Sequence, residues 1–128
     1  MNKLEEGTEL TLQFEKRGGV LPVVVQDAQN GAILMLGYTS REAFDLTLKS
    51  GFAHFYSTSR QKLWKKGESS GDFLQLEEVL VDCDQDALVY KVTLIGDGVC
   101  HTVGSDGQHR RSCFYRRVSG STLEKILP

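Results

Sequence analysis

The chain has 128 residues, 40% of them hydrophobic, with 15 basic and 17 acidic side chains and a net charge of -2. That composition suits one compact domain, 1–128, able to bury a core without disulfide staples, and the near-balance of charge excludes a global field that would gather nucleic acid. No stretch approaches the ~20 apolar residues of a membrane span, and the acidic start, 1–9, is unlike a signal peptide, so a cytoplasmic protein is expected.

Residues 20–26 are rich in β-branched side chains and 32–36 form a second apolar run. Asn30-Gly31 between them tolerates positive φ, which predicts a hairpin. Thr39 and Glu42 have capping-box spacing, Phe44 and Leu48 share one face, and Gly51 offers a left-handed stop, so a short helix is expected over 40–50. A strand over 52–58 leads into a polar segment, 57–72, in which only Leu63 and Trp64 are apolar anchors. Such a segment is too long for a plain connector.

Residues 74–83 read as a strand interrupted at Glu77-Glu78, and 87–95 as another. A second long loop, 96–112, follows. Residues 113–118 suit a final strand, and Ser121 with Glu124 suits the cap of a last helical turn. The elements together predict an α+β, sheet-dominated single domain with one or two short helices. Function is expected in the two long loops and the Asp-Cys-Asp turn.

The chain has three cysteines, Cys83, Cys100 and Cys113. An odd count without an export signal argues against a disulfide framework and leaves metal ligation, reactivity or burial. Three thiolates suit zinc and leave a fourth tetrahedral position for water, as at a catalytic site; with His101 or His109 as fourth ligand the site would instead be closed and structural. His101, next to a candidate ligand and with an ordinary pKa near ~6.5, is the candidate base. His54, amid Phe52, Phe55 and Tyr56, reads as structural.

Cys83 lies within Asp82-Cys83-Asp84-Gln85-Asp86. If that segment is extended, Asp82, Asp84 and Asp86 share one face and Cys83 points to the other. Three such carboxylates suit Mg²⁺; an acidic turn is the plainer alternative. The basic runs Arg60, Lys62, Lys65, Lys66 and His109, Arg110, Arg111, Arg116, Arg117 read either as solvated surface or as flanks for an anionic substrate. Hydroxyls, cations and backbone amides within 57–71 are what phosphate binding requires. Trp64 serves as a stacking face or as a core anchor.

These motifs together resemble the phosphoribosyl-AMP cyclohydrolase family of histidine biosynthesis, over about 20–117. The resemblance is carried by Val25-Gln26-Asp27, by Ser59-Arg60-Gln61-Lys62-Leu63-Trp64-Lys65-Lys66-Gly67-Glu68-Ser69-Ser70-Gly71, by the Asp82-to-Asp86 run, by Cys100-His101-Thr102 and by Ser112-Cys113-Phe114-Tyr115-Arg116. It implies an intertwined homodimer with shared metal sites, in which Cys83 of one subunit joins Cys100 and Cys113 of the other on zinc while Asp82, Asp84 and Asp86 hold magnesium. It further implies hydrolytic opening of a purine ring by zinc-activated water attacking the six-position carbon, the kind of centre zinc deaminases attack. With this substrate in view, His101 is the expected proton shuttle, Arg60 and Lys66 the phosphate contacts, and Ser57, Ser59 and Ser70 supporting donors.

Two features depart from the family pattern. The usual C-H-T-G-x-x-S-C spacing is lengthened here between Cys100 and Cys113, adding Asp106, His109, Arg110 and Arg111. Closure entropy rises slowly with loop length, so the ligands can still converge. Thr58 stands where an arginine often occurs. Some relatives carry a second, pyrophosphate-removing domain, an activity expected here on another chain. The rival readings are a zinc-stabilised single-strand-binding module and a dimer module whose metals are purely structural.

Overall fold

The computed structural model describes residues 3–128. In chain order the elements are α1 (Lys3–Glu6), a 3-10 turn (Glu15–Arg17), β1 (Val20–Asp27), β2 (Ile33–Ser40), α2 (Arg41–Ser50), β3 (His54–Ser57), β4 (Lys62–Lys65), β5 (Phe73–Val81), β6 (Leu88–Ile95), β7 (Arg116–Ser119) and β8 (Thr122–Lys125). This is the sheet-dominated α+β architecture expected.

The β-branched run of β1 alternates between half-buried and buried positions, so Leu21, Val23, Val25 and Asp27 point inward. Period-two alternation on a pleated strand produces that division. β1 pairs antiparallel with β2 through the turn at Asn30-Gly31, and parallel with β6, which pairs antiparallel with β5. The sheet order is therefore β2-β1-β6-β5. Glu77-Glu78, read as an interruption, is a register shift in β5 between Leu76 and Glu78. An extra residue of this kind kinks a strand without ending it.

α2 and the β3–β4 hairpin cover one end of this sheet. Phe55 on β3 is fully buried, 5.2 Å from the Trp64 ring and 6.0 Å from that of Tyr90, and joins Leu21, Leu34, Phe44 and Leu74 in one core. Trp64 is thus a core anchor. Full burial of each large apolar side chain contributes about 1.5–3 kcal/mol. His54 is buried, with Nδ1 2.9 Å from the Phe52 carbonyl, as a structural histidine should be.

Several local expectations need correction. The cap of α2 is Ser40, whose Oγ accepts from the Ala43 amide, while Thr39 is buried in β2. Adjacent hydroxyls compete for this role, and the one facing the core loses it. On the helix, Ala43, Phe44 and Thr47 are buried whereas Leu48 is exposed. The segment 57–72 contains β4, paired residue for residue with β3. The expected strand over 113–118 starts only at Arg116, and the expected helical turn at Ser121 and Glu124 is instead β8, joined to β7 through Gly120-Ser121.

The Asp82-to-Asp86 segment is a turn with Gln85 at φ 57, not an extended strand. The parity argument for opposite faces therefore does not hold, although the three carboxylates still meet. Gln85, buried, clasps the N-terminal segment: its side chain accepts from the Thr11 amide and donates to the Leu4 and Glu9 carbonyls.

Candidate active site

A cavity of about 630 Å³ opens between β2, the β3–β4 hairpin, the turn after β4 and the loop after β6. The polar residues of 57–72 gather here because β3 and β4 turn buried Phe55 and half-buried Trp64 toward the core and leave the connecting turns facing outward. Ser57 Oγ accepts from the Arg60 amide at 3.2 Å and lies 3.3 Å from Ser59 Oγ. Ser70 Oγ accepts from the Asp72 amide at 3.2 Å. Ser57, Ser59, Arg60, Lys66, Ser70 and His101 all line this cavity.

Lys66 is not free in its wall. Its Nζ donates to the Val99 carbonyl at 2.6 Å, tying the β4 turn to the loop that carries Cys100. Asp72, buried and not singled out in the sequence, braces the start of that loop by accepting from the Asp97 amide at 2.8 Å.

The segment 96–112 is more ordered than a loop. Val99 and Cys100 donate backbone hydrogen bonds to Arg111 and Arg110, Arg110 donates to Thr102, and Gly104 donates to Gln108, which makes a narrow antiparallel excursion. Its two sides approach closely at Gly98, where a Cβ would lie 2.2 Å from the Arg110 carbonyl oxygen. Only glycine fits there.

Cys113 is held at the start of β2. Its amide donates to the Leu34 carbonyl, Ser112 Oγ donates to the Ile33 carbonyl at 2.7 Å, and the Phe114 amide donates to Ser112 Oγ. Arg111 donates to the buried carboxylate of Asp27, at the end of β1. Burial alone would raise the Asp27 pKa, but the Arg111 hydrogen bond and the Gln29 amide hold it below the ordinary value. The sequence signalled Asp27 only as the last residue of Val25-Gln26-Asp27.

These anchors bring the Cys100 and Cys113 thiols together. Burial pushes Cys100 up, but hydrogen bonds from the Thr102 hydroxyl and amide and from Cys113, with the Arg110 charge, leave it below the usual thiol value. The Thr102 hydroxyl is 2.9 Å from Cys100 Sγ. Cys113, exposed on its outer side, moves the other way, pushed up to about 11 by partial desolvation of its sulfur and by the neighbouring Cys100. Two neighbouring thiols of this kind suit a thiophilic cation, which would displace their protons.

Cys83 is exposed in the Asp82-to-Asp86 turn, and among the described residues the three sulfurs do not form one metal-sized group. The carboxylates of Asp82, Asp84 and Asp86 do, with one oxygen from each within 4.8 Å of the others. Lys16 contacts Asp86 at 2.9 Å and Asp84 at 3.1 Å, and Arg17 contacts Asp86 at 2.9 Å. Lys16 first, with Asp84, Asp82 and Arg17, holds the Asp86 carboxyl far below its ordinary value, whereas burial raises that of Asp82. These cationic partners of the triad had no signal in the sequence.

A family model described as phosphoribosyl-AMP cyclohydrolase matches residues 35–115. The chain is 47% identical over 114 residues to the phosphoribosyl-AMP cyclohydrolase of Methanospirillum hungatei, covering 89% of this chain and 81% of that protein. It is 50% identical over 114 residues to that of Archaeoglobus fulgidus, covering 89% of this chain and 98% of that protein. The histidine biosynthesis bifunctional protein HisIE of Aquifex aeolicus is 45% identical over 119 residues, which cover 93% of this chain and 55% of that longer protein. The chain belongs to the phosphoribosyl-AMP cyclohydrolase family.

Proposed function

We propose that this protein hydrolyses the purine ring of 1-(5-phosphoribosyl)-AMP, the third step of histidine biosynthesis. The family match supports the reaction. The observation that carries it onto this chain is one cavity lined by Cys100, His101 and the cation- and hydroxyl-rich turns of the β3–β4 hairpin. A substrate with two phosphorylated ends and a reactive base between them matches such a wall.

Cys100 and Cys113 would hold zinc with Cys83 of a second subunit, and Asp82, Asp84 and Asp86 would hold magnesium. The donor sets fit: two neighbouring thiols for a soft ion, and three converging carboxylates for a hard one. When bound, zinc supplies Lewis-acid activation of water and magnesium compensates anionic charge. The separation of Cys83 from the other two sulfurs within one protomer favours a shared site. So does the β7–β8 hairpin, exposed along its whole length, with Val118 at 76% and Leu123 at 56%. A lone two-stranded hairpin is marginally stable, and exposed apolar residues of this kind mark an association surface.

Arg60 and Lys66 are assigned to the phosphates, with Ser57, Ser59 and Ser70 as supporting donors. His101 accepts the proton of the attacking water as its oxygen bonds to the six-position carbon. It returns that proton to the ring nitrogen bearing the second ribose as the carbon–nitrogen bond breaks, leaving a carboxamide and a formamidine. The proposed enzyme is cytoplasmic; among the described residues no helix is long and apolar enough to cross a membrane. The test is ultraviolet detection of ring opening by the pure protein. Wild type should turn over, and Cys83→Ser should lose activity while keeping its circular dichroism. His101→Ala should lower kcat by about 10²-fold or more. A folded, metal-replete wild type that leaves the substrate intact refutes the proposal.

A further inference from the structure

The excursion between Cys100 and Cys113 brings a second imidazole to the cavity. His109 is half-buried and lines the same cavity as His101 and Cys100. It is not at the tip of the excursion: His109 forms a bridge with Val103, and the next residue, Arg110, donates its amide to Thr102 at 3.0 Å. The ring is oriented too, because its Nδ1 lies 2.9 Å from the Cys100 carbonyl oxygen. A carbonyl can only accept, so Nδ1 carries the proton. In the neutral ring Nε2 is then the one remaining polar atom, and it is an acceptor.

We infer that His109 is a specificity-determining residue that accepts a hydrogen bond, through Nε2, from an N–H group of the bound nucleobase. The inference rests on the activity proposed above. Arg60, Lys62, Lys65 and Lys66 in the cavity wall supply cations suited to phosphate, and the hydroxyls of Ser57, Thr58, Ser59, Ser69 and Ser70 can donate or accept. The acceptor-only side chains of the cavity are two carboxylates, Asp72, already engaged by the Asp97 amide, and Glu68 in the turn after β4, whereas His109 is the acceptor held against the backbone of Cys100. An anionic group would meet the Nε2 lone pair unfavourably, whereas the amine or amidine N–H of a purine is the donor such an atom selects. His109 also stands beside Cys100 rather than at the Ser57-to-Arg60 turn, so it addresses the part of the substrate nearest the thiols.

The test compares His109→Asn, His109→Gln and wild type in steady-state ring-opening assays, with zinc per protomer measured for each. Asparagine keeps a donor at the Nδ1 position for the Cys100 carbonyl but offers nothing at Nε2. Glutamine places an amide oxygen near Nε2. His109→Asn should raise KM by about three- to tenfold, the span of one lost neutral hydrogen bond, with zinc content and kcat near wild type. His109→Gln should recover most of that loss. A His109→Asn KM equal to wild type overturns the inference and leaves His109 with only its bond to Cys100. Loss of zinc and kcat at unchanged KM overturns it as well. Wild type without turnover sinks the proposed activity, and the role of His109 with it, whereas active wild type with indifferent His109→Asn sinks the His109 role alone.

Discussion

Asp27→Asn tests how the second thiol is held in place. The Asp27 side chain is 1% exposed and receives hydrogen bonds from Arg111 and, at 2.8 Å, from the Gln29 amide. A hydrogen bond between charged partners contributes about 1.5–3 kcal/mol, and the 46% exposure of Arg111 allows water to replace part of it. Asparagine preserves the bond from Gln29 but turns either a neutral oxygen or an N–H toward the guanidinium. A loss of about 2 kcal/mol follows, or a Tm lower by roughly 6–8 °C for a chain of this size, compared at equal protein concentration. Because Arg111 precedes Ser112 and Cys113, affinity at the proposed zinc site should fall as well.

The pH dependence gives an independent sign. The folded-state pKa of Asp27 is depressed, so its stabilisation is fully present above the unfolded carboxylate value of about 3.9 and is lost as pH falls through the lower folded value. The gap in Tm between wild type and Asp27→Asn should therefore be full at neutral pH and shrink below about pH 4. Thermal unfolding followed by circular dichroism from pH 3 to 7 reads both effects. A shift under about 2 °C at pH 7, where roughly 6–8 °C is expected, would refute the anchoring argument, as would a gap that persists undiminished at pH 3.

Gly98→Ala forces a Cβ to within 2.2 Å of the Arg110 carbonyl oxygen. Backbone must move, so a cost of about 1–3 kcal/mol in urea denaturation and a weaker zinc site are expected; an unchanged midpoint would contradict the close approach. Replacing Lys16 and Arg17 together by methionine removes the cations on Asp84 and Asp86. The double variant should be less stable without divalent cation and should gain more from added Mg²⁺ than wild type does, by titration calorimetry and thermal shift; equal gains would argue against a cation site at the triad.

The parts of the fold legible in the sequence are those specified locally. The β-branched run of β1 and the Asn30-Gly31 turn define the first hairpin, and Gly51 ends α2 as expected. β4 is harder to read because Lys62-Leu63-Trp64-Lys65 has only two apolar residues, and its strand character comes from pairing with β3. Ser121 and Glu124 have the spacing of a capping box, yet Gly120-Ser121 makes a two-residue connection and Glu124 pairs with Arg117 at 2.9 Å. At the candidate site, residue types pointed to metal chemistry at the cysteines and aspartates, and the structure gathers the three carboxylates and the Cys100–Cys113 pair but not Cys83. The supports did not announce themselves, because Asp27 and Arg111 are 84 positions apart and Lys16 reaches Asp84 across 68. His109 was legible as a possible ligand, but its place in the cavity depends on backbone pairing within 99–111 that no local pattern encodes.

The central claim is a zinc site completed across two subunits, and subunit mixing tests it most directly. Cys83→Ser and Cys113→Ser chains should each be inactive alone. Refolded together in equal amounts, half the dimers pair one of each and hold one intact site of two, so about a quarter of wild-type ring-opening activity should return, with zinc bound in proportion. Mixtures as inactive as either variant alone would contradict the account.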